Sequence, residues 1–170
     1  YVFDEAHHLP DIALRHFTGQ LRVHGSLHWL DQSIKTLQEI NKNYARFVEL
    51  LDLLAVLPQV LLELKKYYGQ LKPMVEQLVD HLHESLPEYQ GQLPHFRFEN
   101  GQLPNDLSVL SAEFVKRFQP LIDELAAAHD LIGATLDSNQ TGYSLNQLEM
   151  LYADVGAMLN SAERQYGLWQ

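Results

Sequence analysis

The sequence predicts a mainly α fold: an elongated bundle of about six helices with a small β-hairpin or structured loop near residues 90–104. Three observations predict it. Leucine and other apolar residues recur at steps of three and four along most of the chain, the period of one helix face. Hydrophobic residues make up 46% and charged residues 20% of the 170. That is enough to fill a core and too apolar for a disordered chain. There is no cysteine, so no disulfide framework, zinc ribbon or iron–sulfur cluster can take the place of that core.

The elements follow in order. Pro10 to Phe17 reads as a short helix, with proline in the first turn and Asp11 beside it, where the helix dipole favours an anion. Thr18 to Gly25 alternates between two glycines and is expected to be a short extended piece. Ser26 then suits an N-cap, and Leu27, Leu30, Ile34, Leu37 and Ile40 form the apolar face of the next helix. From Tyr44 to Tyr68 the stripe continues through Phe47, Leu50, Leu51, Leu54, Leu57, Leu61 and Leu64. Pro58 is expected to kink or split it and Gly69 to end it. Leu71, Met74, Val75, Leu78, Leu82 and Leu86 make another stripe that Pro87 stops.

Residues 88–105 change character, with Gly91, Pro94, Gly101 and Pro104 around His95-Phe96-Arg97-Phe98. Asn100-Gly101 is a strong short hairpin cue. The next helix is the clearest. Asn105 or Asp106 caps it, and Leu107, Leu110, Phe114, Phe118, Leu121, Leu125, Ala128 and Ile132 run down one face, with Pro120 expected to interrupt or kink it. After a polar turn at Asp137 to Gly142, Ser144 caps a last helix bearing Leu145, Leu148, Leu151, Val155, Leu159, Ala162 and Tyr166.

Twelve Lys and Arg against 22 Asp and Glu give a net charge of −10. Such a domain repels nucleic acid as a whole, because non-specific affinity comes mostly from neutralising phosphates, so any contact must be local or made by a neighbouring domain. The most apolar stretch, around Leu50 to Leu64, is broken by Asp52, Pro58, Gln59 and Glu63. It falls short of the ~18 uninterrupted apolar residues that a membrane span needs, so no membrane partner is expected. The N-terminus is acidic, with no basic residue ahead of its apolar stretch, and does not read as a signal peptide. The chain has no initiator methionine and opens on the apolar run Tyr1-Val2-Phe3. It is therefore expected to be a piece of a longer protein, cut at or near the edge of a strand.

One stretch carries chemistry. In Val2-Phe3-Asp4-Glu5-Ala6-His7 a short apolar run ends in two adjacent acids. This is the pattern of a Walker B strand, whose first carboxylate holds Mg²⁺ and whose second takes the proton of the water attacking a γ-phosphate. The two acids must leave the strand side by side because metal and water lie side by side. The full run, Tyr1-Val2-Phe3-Asp4-Glu5-Ala6-His7-His8-Leu9-Pro10-Asp11, resembles motif II, the DEAH box, of superfamily 2 helicases. Followed by a long helical stretch, it looks most like the DinG and XPD group of iron–sulfur DNA helicases, in particular its DinG-like and YoaA-like bacterial members. In that group a helical insertion, the arch domain, follows motif II.

The resemblance implies that residues 1–9 are a remnant of the first motor domain and residues 10–170 an arch-like insertion. It implies roles for Asp4 in binding Mg²⁺, for Glu5 in orienting or deprotonating water, and for His7 in coupling the nucleotide site to later motifs; His8 has no assigned role. It implies a parent that hydrolyses ATP with Mg²⁺, moves 5′ to 3′ on single-stranded DNA, serves DNA repair, and carries an iron–sulfur cluster whose ligands lie outside this chain. The arch would help close the single-strand channel against the adjoining motor and iron–sulfur domains, in the bacterial cytoplasm near the nucleoid. No phosphate-cradling Gly-x-x-x-x-Gly-Lys-Ser/Thr is present among the nine glycines, so the chain alone is expected to be inactive as an ATP hydrolase. Segment 1–3, without its sheet, is expected to be displaced, disordered, or caught in a lattice or dimer contact.

Weaker constellations remain. Lys65 and Lys66 beside Tyr67 and Tyr68, with Lys72, and Lys116-Arg117 beside Phe118, put cations next to aromatic rings, as single-strand binding does. Arg97 between Phe96 and Phe98 is a third such spot. The competing reading makes the aromatics core and the cations a solvated rim. His81-x-His83-Glu84 puts two imidazoles on different helix faces, and the Glu-x-x-His pair of carboxylate-bridged bundles is missing, so no metal site is expected in the chain. The alternative to a helicase fragment is an independent acidic helical module that binds other proteins.

Overall fold

The computed structural model describes residues 22–85, 102–138 and 142–170. They form five helices: α1 (Val23–Asn43), α2 (Val48–Leu54), α3 (Leu57–Ser85), α4 (Asn105–Ser138) and α5 (Leu145–Tyr166). At 1.5 Å per residue, α3 and α4 are about 43 and 51 Å long, so the bundle is elongated as expected. Helix α1 packs on α3, α3 on α4, α4 on α5, and α5 touches α1. Cross-helix contacts fix the directions. Asp31 meets Lys65 and Leu37 lies by Leu61, Glu63 meets Arg117 and Tyr67 meets Glu113, and Gln119 meets Tyr166 while His129 meets Tyr152. In each pair of neighbours the residue numbers run in opposite senses, so α1, α3, α4 and α5 go up, down, up and down. The short α2 lies against α4.

The apolar stripes supply the core. All eight stripe residues of α4, from Leu107 to Ile132, are buried, as are Leu30, Leu37 and Ile40 of α1 and Leu148, Leu151, Val155 and Ala162 of α5. Leu37, Leu61, Leu121 and Met158, one from each long helix, meet around a space that admits no water. Met158 is a core residue that the expected stripe omits, while Leu145 is 55% exposed. Leu145 is the first residue of α5, before the helix turns its face inward.

The deepest point is aromatic. Tyr68 is fully buried, 4.5 Å from the Phe114 ring, and Phe114 stacks on Trp169 at 4.2 Å with 15° between planes. The last residues fold back to allow this. Trp169 N–H donates to the Tyr166 carbonyl, and Ser111 Oγ donates to the Trp169 carbonyl at 2.8 Å. The buried Tyr68 hydroxyl donates to Gln165 Oε1 at 2.7 Å and accepts from Trp169 Nε1 at 3.4 Å. Among the described residues no buried side-chain nitrogen or oxygen lacks a partner, which removes the desolvation penalty such groups would otherwise carry.

Several expected boundaries change. Val23 to Gly25 are helical rather than extended, because α1 begins at Val23 behind Arg22. Ser26 is therefore not a cap; it lies inside the first turns with its side chain buried and hydrogen-bonded toward Tyr68. Gly69 does not end a helix, since α3 runs through it and through Pro73. The amide that Pro73 lacks would have bonded the Gly69 carbonyl, four residues back, and a proline ring crowds that same carbonyl. Pro58 sits at the second position of α3, where an amide has no helical acceptor anyway. The chain does split there, between Leu54 and Leu57. Pro120 does not interrupt α4. Its ring is exposed, so the Lys116 carbonyl that it leaves unbonded can be hydrated. Asn105 is the first helical residue rather than a cap, and the Pro104 carbonyl accepts from Ser108 N–H at 2.9 Å. The Ser144 cap is as expected, and Gln147 completes a capping box. The helix expected at Pro10 to Phe17 lies outside the described residues, as does the hairpin expected near 90–104 except for 102–104, which have no regular secondary structure.

This packing has two measurable consequences. Burial raises the Tyr68 phenol from 10.0 to about 12, with hydrogen bonds from Trp169 and Ser26 pulling the other way. The folded state holds this proton more tightly, so the stabilisation is complete below pH 10 and is lost as the pH rises toward 12. Urea midpoints across that range should fall for the native chain, and Tyr68→Phe should flatten the part of the fall due to this group. Glycine separates two cases. At Gly69 an added Cβ meets nothing within 4 Å, so Gly69→Ala should stabilise the fold by about 0.5–1 kcal/mol. At Gly156 it meets His129 Nε2 at 3.0 Å, and His129 is itself stacked on Tyr152 at 3.8 Å. Gly156→Val should therefore destabilise by about 1–3 kcal/mol, measured in the same titration.

Candidate nucleic-acid interface

The cations singled out from the sequence have distinct fates. Residues one position before and after the buried Leu64 and Tyr68 flank the core, about 100° round the helix to either side, so Glu63 and Tyr67 face α4 while Lys65 faces α1. Lys65 Nζ bonds Asp31 Oδ1 at 2.6 Å. Arg117 Nε bonds Glu63 Oε2 at 2.5 Å, and its Nη2 lies 3.5 Å from Glu113 Oε2. Tyr67 donates its hydroxyl to the same Glu113 oxygen at 3.0 Å, with the Arg117 guanidinium 5.7 Å from its ring centroid. The hydrogen bond to Glu113 is the main cause of a raised Tyr67 pKa. Burial alone would lower the Arg117 pKa, but its bond to Glu63 and the surrounding charges more than offset this, and the net shift is upward.

This cluster holds one cation and two carboxylates. It carries a net negative charge and its guanidinium is already committed, so it cannot serve as a phosphate clamp. Lys72 lies 3.9 Å from Glu76, one turn on. Lys66 and Lys116 lie toward solvent, and no ion pair involves them among the described residues. Tyr68 and Phe118, the rings beside these cations, are fully buried and cannot stack on a base. Arg97 lies outside the described residues, as do Asp4, Glu5 and His7.

A different group of residues comes together where α1 ends, α2 begins and the α4–α5 turn returns. Tyr44 donates its hydroxyl to the Gln147 carbonyl at 2.8 Å, and Arg46 N–H donates to the Tyr143 hydroxyl at 3.1 Å. Tyr143 lies 5.2 Å from the Tyr44 ring and 6.5 Å from the Phe47 ring, stacked on the latter with 28° between planes. Burial is the main cause of a raised Tyr44 pKa, with the nearby Asp154 charge adding to it. Beside these rings opens a cleft of about 600 Å³, lined by Lys42, Asn43, Ala45, Arg46, Phe47, Gly142, Tyr143 and Gln147. Its described lining has two cations and no carboxylate. The sequence offers no local signal for this site, because residues 42–47 and 142–147 lie about a hundred positions apart in the chain.

Comparison with known proteins finds a similar segment in a DNA helicase. The chain is 28% identical over 174 aligned positions to the ATP-dependent DNA helicase DinG of Photobacterium profundum. That alignment covers 99% of this chain and 22% of the helicase, so the chain spans about a fifth of its relative's length. No family model and no solved structure matches. Among the described residues, no helix is long and apolar enough to cross a membrane.

Arg117→Ala is expected to destabilise the fold by about 1 kcal/mol or less, the range of partly exposed ion pairs. It should leave nucleic-acid affinity unchanged or slightly raised, because it removes a cation already held by two acids. Urea unfolding and fluorescence anisotropy with a single-stranded oligonucleotide check the two halves of this expectation.

Proposed function

We propose that this chain is a segment of an ATP-dependent DNA helicase of the DinG and XPD kind, beginning at motif II and continuing as the helical arch-like insertion. The observation that carries the reading is the similarity to DinG along nearly the whole chain. The alignment extends over the acidic stretch as well as the helical body, which supports reading the two as parts of one protein. A rod of antiparallel helices suits a part that gates or guides a strand mechanically, while hydrolysis takes place elsewhere.

In the intact protein Asp4 and Glu5 would face the nucleotide. Their hard oxygen donors fit Mg²⁺, which when bound supplies electrostatic stabilisation of the transferring phosphoryl group. Glu5 would orient or deprotonate the attacking water, and His7 would pass the state of the site to later motifs. An iron–sulfur cluster finds no thiolate here, since the chain has no cysteine, so any cluster would be held by residues outside it.

The test is ATP hydrolysis by the intact protein with and without single-stranded DNA, and strand displacement on 5′- and 3′-tailed duplexes. Hydrolysis should depend on DNA, and displacement should need the 5′ tail. Glu5→Gln should lower kcat by about 10²–10⁴-fold, the usual contribution of a positioned general base, without weakening DNA binding. Hydrolysis that is absent, or indifferent to Glu5→Gln, would leave the acidic interaction module as the better description.

A further inference from the structure

We propose that the cleft lined by Lys42, Arg46, Phe47 and Tyr143 holds a short segment of single-stranded nucleic acid, with a base against the aromatic wall and phosphates on the two cations. The assignment deepens the helicase-fragment reading and rests on it for the strand being DNA. Its other grounds are local.

Charge is the first. The chain carries −10 overall, and Lys65 and Arg117 are already paired with acids on neighbouring helices. The cleft inverts that balance, with two cations and no acid in its described lining. Helix ends of both signs also meet there, the C-termini of α1 and α4 and the N-termini of α2 and α5. Their poles are opposite and of about half a charge each, so they cancel and the two side chains decide the sign. Asp154, whose charge acts on Tyr44, is not among the lining residues.

The aromatic wall is the second. Tyr143 and Phe47 stack on each other and are each only partly buried, unlike Tyr68 and Phe118. Tyr143 is held in place by the Arg46 amide on its hydroxyl, so the ring is set before any ligand arrives. A rigid ring beside a cation is the unit that single-strand binding uses, because every base has a π-face and every nucleotide a phosphate. Asn43 and Gln147 add amide donors and acceptors at the rim. The volume, about 600 Å³, lies in the range of clefts that take small ligands and leaves room for a base. Duplex would not enter, since stacked and paired bases cannot offer a face to the ring.

The test uses the intact protein and a labelled oligothymidylate of about a dozen nucleotides, within the usual span of single-strand sites. Anisotropy is read at several salt concentrations, with oligouridylate and duplex DNA as parallel arms. The double variant Lys42→Glu, Arg46→Glu should lose at least about tenfold in affinity at low salt. Its dependence of log affinity on log salt should shallow by about two phosphate contacts. Lys42, in the last turn of α1, and Arg46, in the turn after it, are both exposed, and circular dichroism with urea unfolding checks that the fold is kept. Independently of any variant, ultraviolet cross-linking of oligothymidylate to the native protein should place the adduct on Tyr143 or Phe47 by peptide mass spectrometry. Oligouridylate binding more tightly than oligothymidylate would make the strand RNA. Adducts found only elsewhere, or a salt slope unchanged in the double variant, overturn the proposal. If DNA-stimulated ATP hydrolysis persists in that case, the helicase reading stands and only the cleft assignment falls. If the protein hydrolyses no ATP yet cross-links at Tyr143, the cleft assignment stands and the helicase reading falls.

Discussion

The burial of Tyr68 against Phe114 sets the register of the bundle. A fully buried phenol needs partners for its hydroxyl, and they come from Gln165 and Trp169 at the far end of the chain. Once those bonds form, α5 can lie along α4 in one register only, and the Trp169 ring closes over Phe114. The leucine stripes would tolerate sliding by a turn, since one leucine packs much like another. A buried polar atom does not tolerate it, because an unpaired hydroxyl there costs on the order of 1–3 kcal/mol. The hydrophobic effect assembles the helices, and this polar contact makes one arrangement of them unique.

Electrostatics then divide the surface into regions. Along the α3–α4 flank, Arg117 is shared by Glu63 and Glu113, so acids outnumber the cation that meets them. At the opposite end of the antiparallel packing from α3's C-terminus, the ends of α1 and α4 and the starts of α3 and α5 come together. The turns there bring Lys42 and Arg46 beside Tyr143 with no acid in the described lining. The molecule is acidic in sum and basic in one cleft, which is how a strongly anionic domain can still accept a polyanion locally.

The legible parts of the fold were those governed by single-chain periodicity. The α4 stripe is buried residue for residue, and the Ser144–Gln147 capping box depends only on positions three apart. Breakers were less reliable. Gly69 and Pro73 lie in one uninterrupted helix because Leu64, Tyr68 and Leu71 are buried around them, and that burial outweighs the local cost of about 1 kcal/mol for glycine and roughly 3 for proline. Ser26 has the composition of a cap but lies in the core, where a tyrosine on another helix gives its hydroxyl a partner. The basic spots near Lys65 and Arg117 were visible as composition, while their acidic partners lie on neighbouring helices, beyond the reach of any local window.

The order of residues alone determined the helical character of the described chain and most of its buried faces, because backbone hydrogen bonding and amphipathic spacing act over a few residues. Only the tertiary structure decided which cations are already paired, which rings can meet a ligand, and where residues about a hundred positions apart make a cleft. Those properties depend on distances between helices, and packing sets such distances through contacts that no stretch of sequence contains by itself.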